Sequence, residues 1–124
     1  MSLDFAGTLY GKGTEDSVGM TPQMESYRWH LPIGGGIIIH NHPKGKPFSF
    51  KDMGFFFNAP QIGILTAVSN QGNVQILSKQ KDFSRAACIA YIEQLYEKHS
   101  GDFDALMKDF LKNCRKVGLI YVRD

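Results

Sequence analysis

Gly34-Gly35-Gly36-Ile37-Ile38-Ile39-His40-Asn41-His42-Pro43 decides the fold of this chain. Three consecutive β-branched side chains favour an extended backbone over a helix. All three are apolar, which predicts a strand covered on both faces and therefore central in its sheet. Pro43 ends the strand because it has no N–H to donate. Pro32 and the triple glycine exclude a helix immediately upstream.

Working outward, Lys44-Gly45-Lys46-Pro47 reads as a loop, and Ser49 to about Asn58 as a helix with Ser49 as its cap. Ile62–Ser69 and Val74–Ser78 flank Asn70-Gln71-Gly72-Asn73, a hairpin signal. A helical pattern starts at Phe83 and breaks at His99-Ser100-Gly101. After the cap Asp102, residues Phe103, Leu106, Met107, Phe110, Leu111 and Cys114 share one helical face. Gly118 stops that helix, and Leu119–Val122 reads as a last strand. Toward the other end, residues 3–10 read as a strand followed by a Gly11-Lys12-Gly13 turn. Thr21-Pro22 opens a short helix that ends near Trp29. Strands and helices interleave, so the expected class is α/β or α+β, a mixed sheet flanked by helices.

The chain has 124 residues, enough for a single domain over 1–124 and too few for a (β/α)₈ barrel, which needs roughly 200 or more. With 43% apolar and 21% charged residues it can bury a core and fold. A net charge of +2 does not mark a nucleic-acid or membrane surface. No apolar run approaches the ~20 residues that span a bilayer, and Met1-Ser2-Leu3-Asp4 is neither basic nor a signal core; the cytoplasm is the expected compartment. Two cysteines, Cys88 and Cys114, are too few for a disulfide scaffold or a cysteine-based zinc site, and both fall on apolar helical faces as small buried hydrophobes. The thirteen glycines and nine phenylalanines concentrate around the histidine strand.

Side chains two apart on a strand share a face, so His40 and His42 present two imidazoles together, a metal-ligand pair. A third ligand has to come from the loop or helix that follows, and Asp52 stands there, in the first turn after Ser49. Two histidines and a carboxylate leave one position of a zinc ion open, as catalytic zinc requires and structural zinc normally does not. Water in that position is acidified to near neutral pH and becomes a nucleophile. His-x-His alone does not specify a metal, and Ser49-x-x-Asp52 alone reads as a capping-box variant. The combination points to a site. His30 and His99, near helix ends, read as partners of terminal carbonyls. Trp29 and Phe55-Phe56-Phe57 read as core, with one of the three rings left to face outward. Lys44 and Lys46 read as a solvated loop that could attract an acidic substrate.

His40-Asn41-His42-Pro43, then Ser49 and Asp52, resembles the metal-binding motif of the JAB/MPN (JAMM) domain family of zinc metallopeptidases. The wording is most similar to the bacterial branch that includes RadC-like proteins and JAB domains attached to phage and toxin proteins. The resemblance implies a JAB/MPN-like (cytidine-deaminase-like) fold, Zn²⁺ held by His40, His42 and Asp52, and a Ser49 that helps hold the water or the oxyanion. It also implies a hydrolase acting on a peptide or protein; the low net charge and the lack of a long apolar run, not the resemblance, make a nucleic-acid or membrane partner unexpected. The loop from His42 to Ser49 is one residue shorter than in the most familiar peptidases. The family's general base is a glutamate in a Glu-x-x-Gly-x-Leu-x-Gly strand. This chain has Asp4-Phe5-Ala6-Gly7-Thr8-Leu9-Tyr10-Gly11, with the glycines and leucine in register and Asp4 at the acidic position. Aspartate is one methylene shorter, about 1.5 Å of reach, and proton transfer depends steeply on distance. Glu15 and Glu25 are the fallback bases. The resemblance covers roughly residues 4–80 and is sharp over 37–52; the C-terminal helices, 83–114, carry none of it.

The leading expectation is therefore a zinc peptidase or isopeptidase. The first alternative is an interaction module of the same fold with little or no catalysis, because family members lacking the glutamate act as scaffolds. The second is a metal-dependent or DNA-repair-associated nuclease, prompted by His-Asn-His. HNH nucleases, however, place their histidines on a hairpin and a later helix, and the low charge gives little attraction for phosphate. Metallo-β-lactamase-like enzymes continue with an Asp-His pair where this chain has Pro43-Lys44, and amidohydrolases need the barrel that the length excludes.

Overall fold

The isoleucine run forms strand β1, Gly36–Asn41, in a computed structural model that describes residues 32–42 and 44–124. Helix α1 (Phe50–Phe57) follows, then β2 (Ile62–Val68) and β3 (Val74–Lys79), helices α2 (Arg85–Lys98) and α3 (Phe103–Asn113), a 3₁₀ turn at Cys114–Val117, and β4 (Leu119–Arg123). The sheet order is β1-β2-β3-β4, with β1 parallel to β2 and the other pairs antiparallel. Parallel neighbours need a crossover, and α1 is that crossover. The architecture is thus mixed α+β, as the interleaved pattern predicts. The strand expected at 3–10 and the helix from Thr21 to Trp29 lie outside the described residues. No helix among the described residues is long and apolar enough to cross a membrane.

Register sets which side chains meet. One row across the sheet runs His40, Ala67, Gln75, Arg123, and the next runs Ile38, Leu65, Leu77, Tyr121. Aligned partners share a face, and this face carries the core. Leu65, Ala67, Leu77 and Leu119 are buried with Met53, Phe56 and Phe57 of α1, Cys88 and Leu95 of α2, and Leu106 and Phe110 of α3. Burying each large side chain contributes about 1.5–3 kcal/mol.

The expected central position of β1 is not seen among the described residues. Among the described residues β1 ends the sheet, and Ile37 (46% exposed) and Ile39 (69%) stand on its uncovered face; only Ile38 packs against the core. β-Branched residues favour the pleated backbone whether or not both faces are covered. The outward aromatic of α1 is also not one of Phe55–Phe57. Phe56 and Phe57 are buried, Phe55 packs against the core, and the half-exposed ring is Phe50.

The turns follow local chemistry. Ser69 closes the β2–β3 hairpin, its carbonyl accepting from Gly72 N–H (3.0 Å) and its hydroxyl from Asn73 N–H (3.1 Å). Ser84 and Asp102 cap α2 and α3 through the N–H groups of Ala87 and Ala105. Gly118 ends the 3₁₀ turn at φ 83°, where a Cβ would collide with the Phe83 backbone.

Candidate metal centre

β1 brings the imidazoles to its C-terminal end. The His42 N–H donates to the Val68 carbonyl (2.9 Å), so the pairing with β2 runs one residue past the strand. His40 and His42 thus share a face, and their rings stack with centroids 4.6 Å apart and planes at 11°. Buried Phe48 meets both rings, at 6.1 and 5.9 Å.

The chain then turns into α1. Its cap, Ser49, accepts from Asp52 N–H (3.1 Å), and the Asp52 carboxylate accepts from Ser49 N–H (2.8 Å), a reciprocal capping box. The same Oδ2 lies 3.3 Å from His42 Nε2. The structural and the metal-binding readings of Asp52 are therefore compatible, because the box aims the carboxylate at the histidines.

Ligand-capable atoms of His40, His42 and Asp52 all lie within 4.8 Å of one another. Two ligands of a tetrahedral zinc bound at about 2.0–2.2 Å stand roughly 3.3–3.6 Å apart, so the His42–Asp52 spacing fits as it is. Among the described residues, the buried Nε2 of His40 has no hydrogen-bond partner. Such an atom costs free energy in a folded protein unless something else binds it. Two imidazole nitrogens and a carboxylate oxygen form a donor set suited to zinc.

Electrostatics differ among the three. Burial lowers the His40 pKa from 6.5, against the pull of Asp52 and with help from His42. The hydrogen bond to Asp52 raises that of His42, outweighing burial, and the Lys46 carbonyl adds to the rise. For Asp52, burial is the largest single influence and acts upward. The hydrogen bonds from His42 and Ser49, with both imidazoles' charge, outweigh it and hold the carboxyl below 3.8. The cluster thus favours an ionised Asp52 and a neutral His40, the forms in which both ligate a metal, whereas His42, drawn toward its cation by Asp52, gives up a proton on ligation.

The structure brings together His40, His42, Asp52 and Ser49. Asp4, Glu15, Glu25, Trp29 and His30 lie outside the described residues. His99 stands at the C-terminal end of α2 as expected, but its ring meets the Asp109 carboxylate of α3 at 2.8 Å and not the helix's terminal carbonyls. Cys88 and Cys114 are buried, and burial pushes their thiols up to about 12 and about 11. Lys44 and Lys46 are exposed, and the Lys46 backbone proves more informative than its charge. Its carbonyl accepts from His42 Nδ1 (2.9 Å) and from Gln75 Nε2 (2.7 Å). Sequence reasoning missed Gln75. The available signal was its phase, since Gln75 alternates with Leu77 on the inward side of β3.

Comparisons with protein-family models, with curated proteins and with solved structures each find no match.

Proposed function

We propose that this chain is a zinc-dependent hydrolase of the JAB/MPN type that cleaves a peptide or isopeptide bond in an intracellular peptide or protein. The unpartnered, buried Nε2 of His40, converging with His42 and Asp52, carries the proposal. The order of parts supports it too: a strand ending in two stacked histidines, a short loop, and a Ser-capped helix with aspartate in its first turn. A zinc ion held here supplies Lewis acidity and brings the pKa of a bound water near neutral. The chain's residues do the rest. His40, His42 and Asp52 fix the ion's position. Ser49, whose Oγ accepts from Asp52 N–H, keeps its own proton to donate to a developing oxyanion. Asp4 takes and returns the proton.

Among the described residues Asp52 is the one carboxylate of the cluster, and it is committed as a ligand. That observation keeps the interaction-module alternative in play, because proton transfer depends on Asp4. Zinc per chain, measured by elemental analysis after dialysis, is expected to approach one and to fall in His42→Ala. A wild-type protein that stays metal-free in added zinc sinks the proposal. Asp4→Glu is expected to raise hydrolysis of a peptide library; no cleavage by either protein with zinc bound favours the module.

A further inference from the structure

We propose that Gln75 and Tyr121, on β3 and β4, are positioning residues for the metal centre: they hold the Lys46 carbonyl where it locks His42 in the tautomer that leaves Nε2 free for a metal. The inference rests on the zinc proposal above and extends it to residues outside the motif.

A neutral imidazole carries one N–H, and the partner of one nitrogen decides whether the other can bind a metal. Nδ1 of His42 lies 2.9 Å from the Lys46 carbonyl oxygen, which can only accept, so whenever Nε2 binds a metal the ring's hydrogen stays on Nδ1. Nε2 faces the Asp52 carboxylate at 3.3 Å, and a metal bound by both takes the place of the hydrogen between them. Everything depends on where that carbonyl sits. Lys46 belongs to an exposed loop that turns at Gly45, where φ is 68°. Within the loop the Gly45 N–H donates to the His42 carbonyl at 2.8 Å, and the Lys46 carbonyl is held from across the sheet.

The first anchor is Gln75. It is 3% exposed, and its Nε2 donates to the Lys46 oxygen at 2.7 Å, filling that oxygen's second acceptor position. A glutamine amide can face either way, and reversed it would present its oxygen to the carbonyl. The acceptor-only Lys46 carbonyl opposes the reversal, and the Tyr121 hydroxyl holds the other end of the amide by donating to Gln75 Oε1 at 2.7 Å. The Tyr121 ring also meets Phe48 at 6.2 Å, the same ring that touches both histidines. Arg123, two residues along β4 and paired with Gln75, donates to the Gly45 carbonyl at 2.7 Å. Two successive carbonyls of the loop are thus tied to the far strands. A merely structural role for the buried amide would account for Gln75 being satisfied. It would not account for the shared acceptor being the atom that sets the His42 tautomer.

Tyr121→Phe keeps the ring and removes only the hydroxyl; Gln75→Leu removes both bonds at similar size. Zinc affinity, by competition with a chromogenic chelator, is expected to fall about 10–100-fold in Gln75→Leu, the range for loss of an outer-shell partner, and less in Tyr121→Phe. In the metal-free proteins, the His42 Nδ1–H should exchange slowly with water in wild type and faster in the variants, because its acceptor is no longer held. Folded variants with wild-type zinc affinity and an unchanged Nδ1–H exchange rate overturn the inference, even if they melt lower. Should wild type bind no zinc, the zinc proposal fails by itself. The Nδ1–H exchange rate then decides the positioning claim, which an unchanged rate ends.

Discussion

His40 and His42 stand two residues apart and are pushed in opposite directions, His40 down by burial and His42 up by Asp52. In metal-free protein the stability from the His42 shift is complete below the unfolded value of about 6.5 and is lost as pH rises through the higher folded value. The Asp52 shift works from the other side. Its contribution is complete above the unfolded value of about 3.9 and is lost as pH falls through the lower folded one. The stability difference between wild type and Asp52→Asn, measured by urea unfolding in a chelator, should therefore peak between about pH 4 and 6.5 and shrink on both sides. A difference that does not vary with pH refutes the pairing. Lys79 gives a second handle. Its ammonium donates to the Ala59 carbonyl (2.9 Å) and sits over Phe56 and Phe83, and burial lowers its pKa to about 8. The unfolded chain then binds more protons than the folded one between about pH 8 and 10.5, so this group makes stability rise across that window. The buried thiols act oppositely above about pH 9, because their folded values are raised. Subtracting the urea profile of Lys79→Met from that of wild type isolates the lysine, and the difference should climb with pH.

Helix α1 has eight residues, too few to be stable alone. It persists because Met53, Phe56 and Phe57 are buried beneath it and because Ser49 and Asp52 satisfy each other's backbone. Ser49→Ala is expected to cost about 1 kcal/mol, the usual loss for a helix cap, and to weaken zinc binding severalfold, because Asp52 loses the bond that fixes its turn. Unfolding in urea and chelator competition read the two effects separately; a destabilised variant with unchanged zinc affinity shows that the cap does not position the ligand. Much at this scale was legible in the sequence. Ser49, Asp102 and the Asn70–Asn73 turn act through local hydrogen bonds whose donors and acceptors are neighbours in the chain, so residue type and spacing are enough to read them. The place of β1 was not legible, because Ile37–Ile39 report a backbone preference and not which neighbours cover it. Gln75 escaped for a related reason. Its partners are 29 and 46 residues away, and no local pattern encodes a contact that only the sheet's register creates.

Across the whole molecule, one register aligns His40, Ala67, Gln75 and Arg123, so the histidine strand and the C-terminal strand reach the same loop from opposite ends of the sheet. That arrangement depends on the sheet's keeping its register, and register is specified where one face is buried against the helices. The two faces are therefore expected to differ in what they contribute. Leu77 is fully buried between β2 and β4, under the helices, and Leu77→Ala should cost about 2–5 kcal/mol, the transfer loss plus the cavity left behind. Ile39, on the opposite face, should change stability by less than about 0.5 kcal/mol when replaced by alanine, because it leaves no enclosed cavity. Zinc affinity should follow the same division. A cavity at Leu77 lies one register step from Gln75 and Tyr121 pairs directly across from it, so Leu77→Ala should loosen the anchor of the Lys46 carbonyl, whereas Ile39→Ala should leave it unchanged. Urea unfolding and chelator competition on the two variants check both halves. A core-sized loss at Ile39 contradicts an exposed face there, and a Leu77→Ala protein that keeps full zinc affinity while losing several kcal/mol shows that the metal loop is held independently of the sheet.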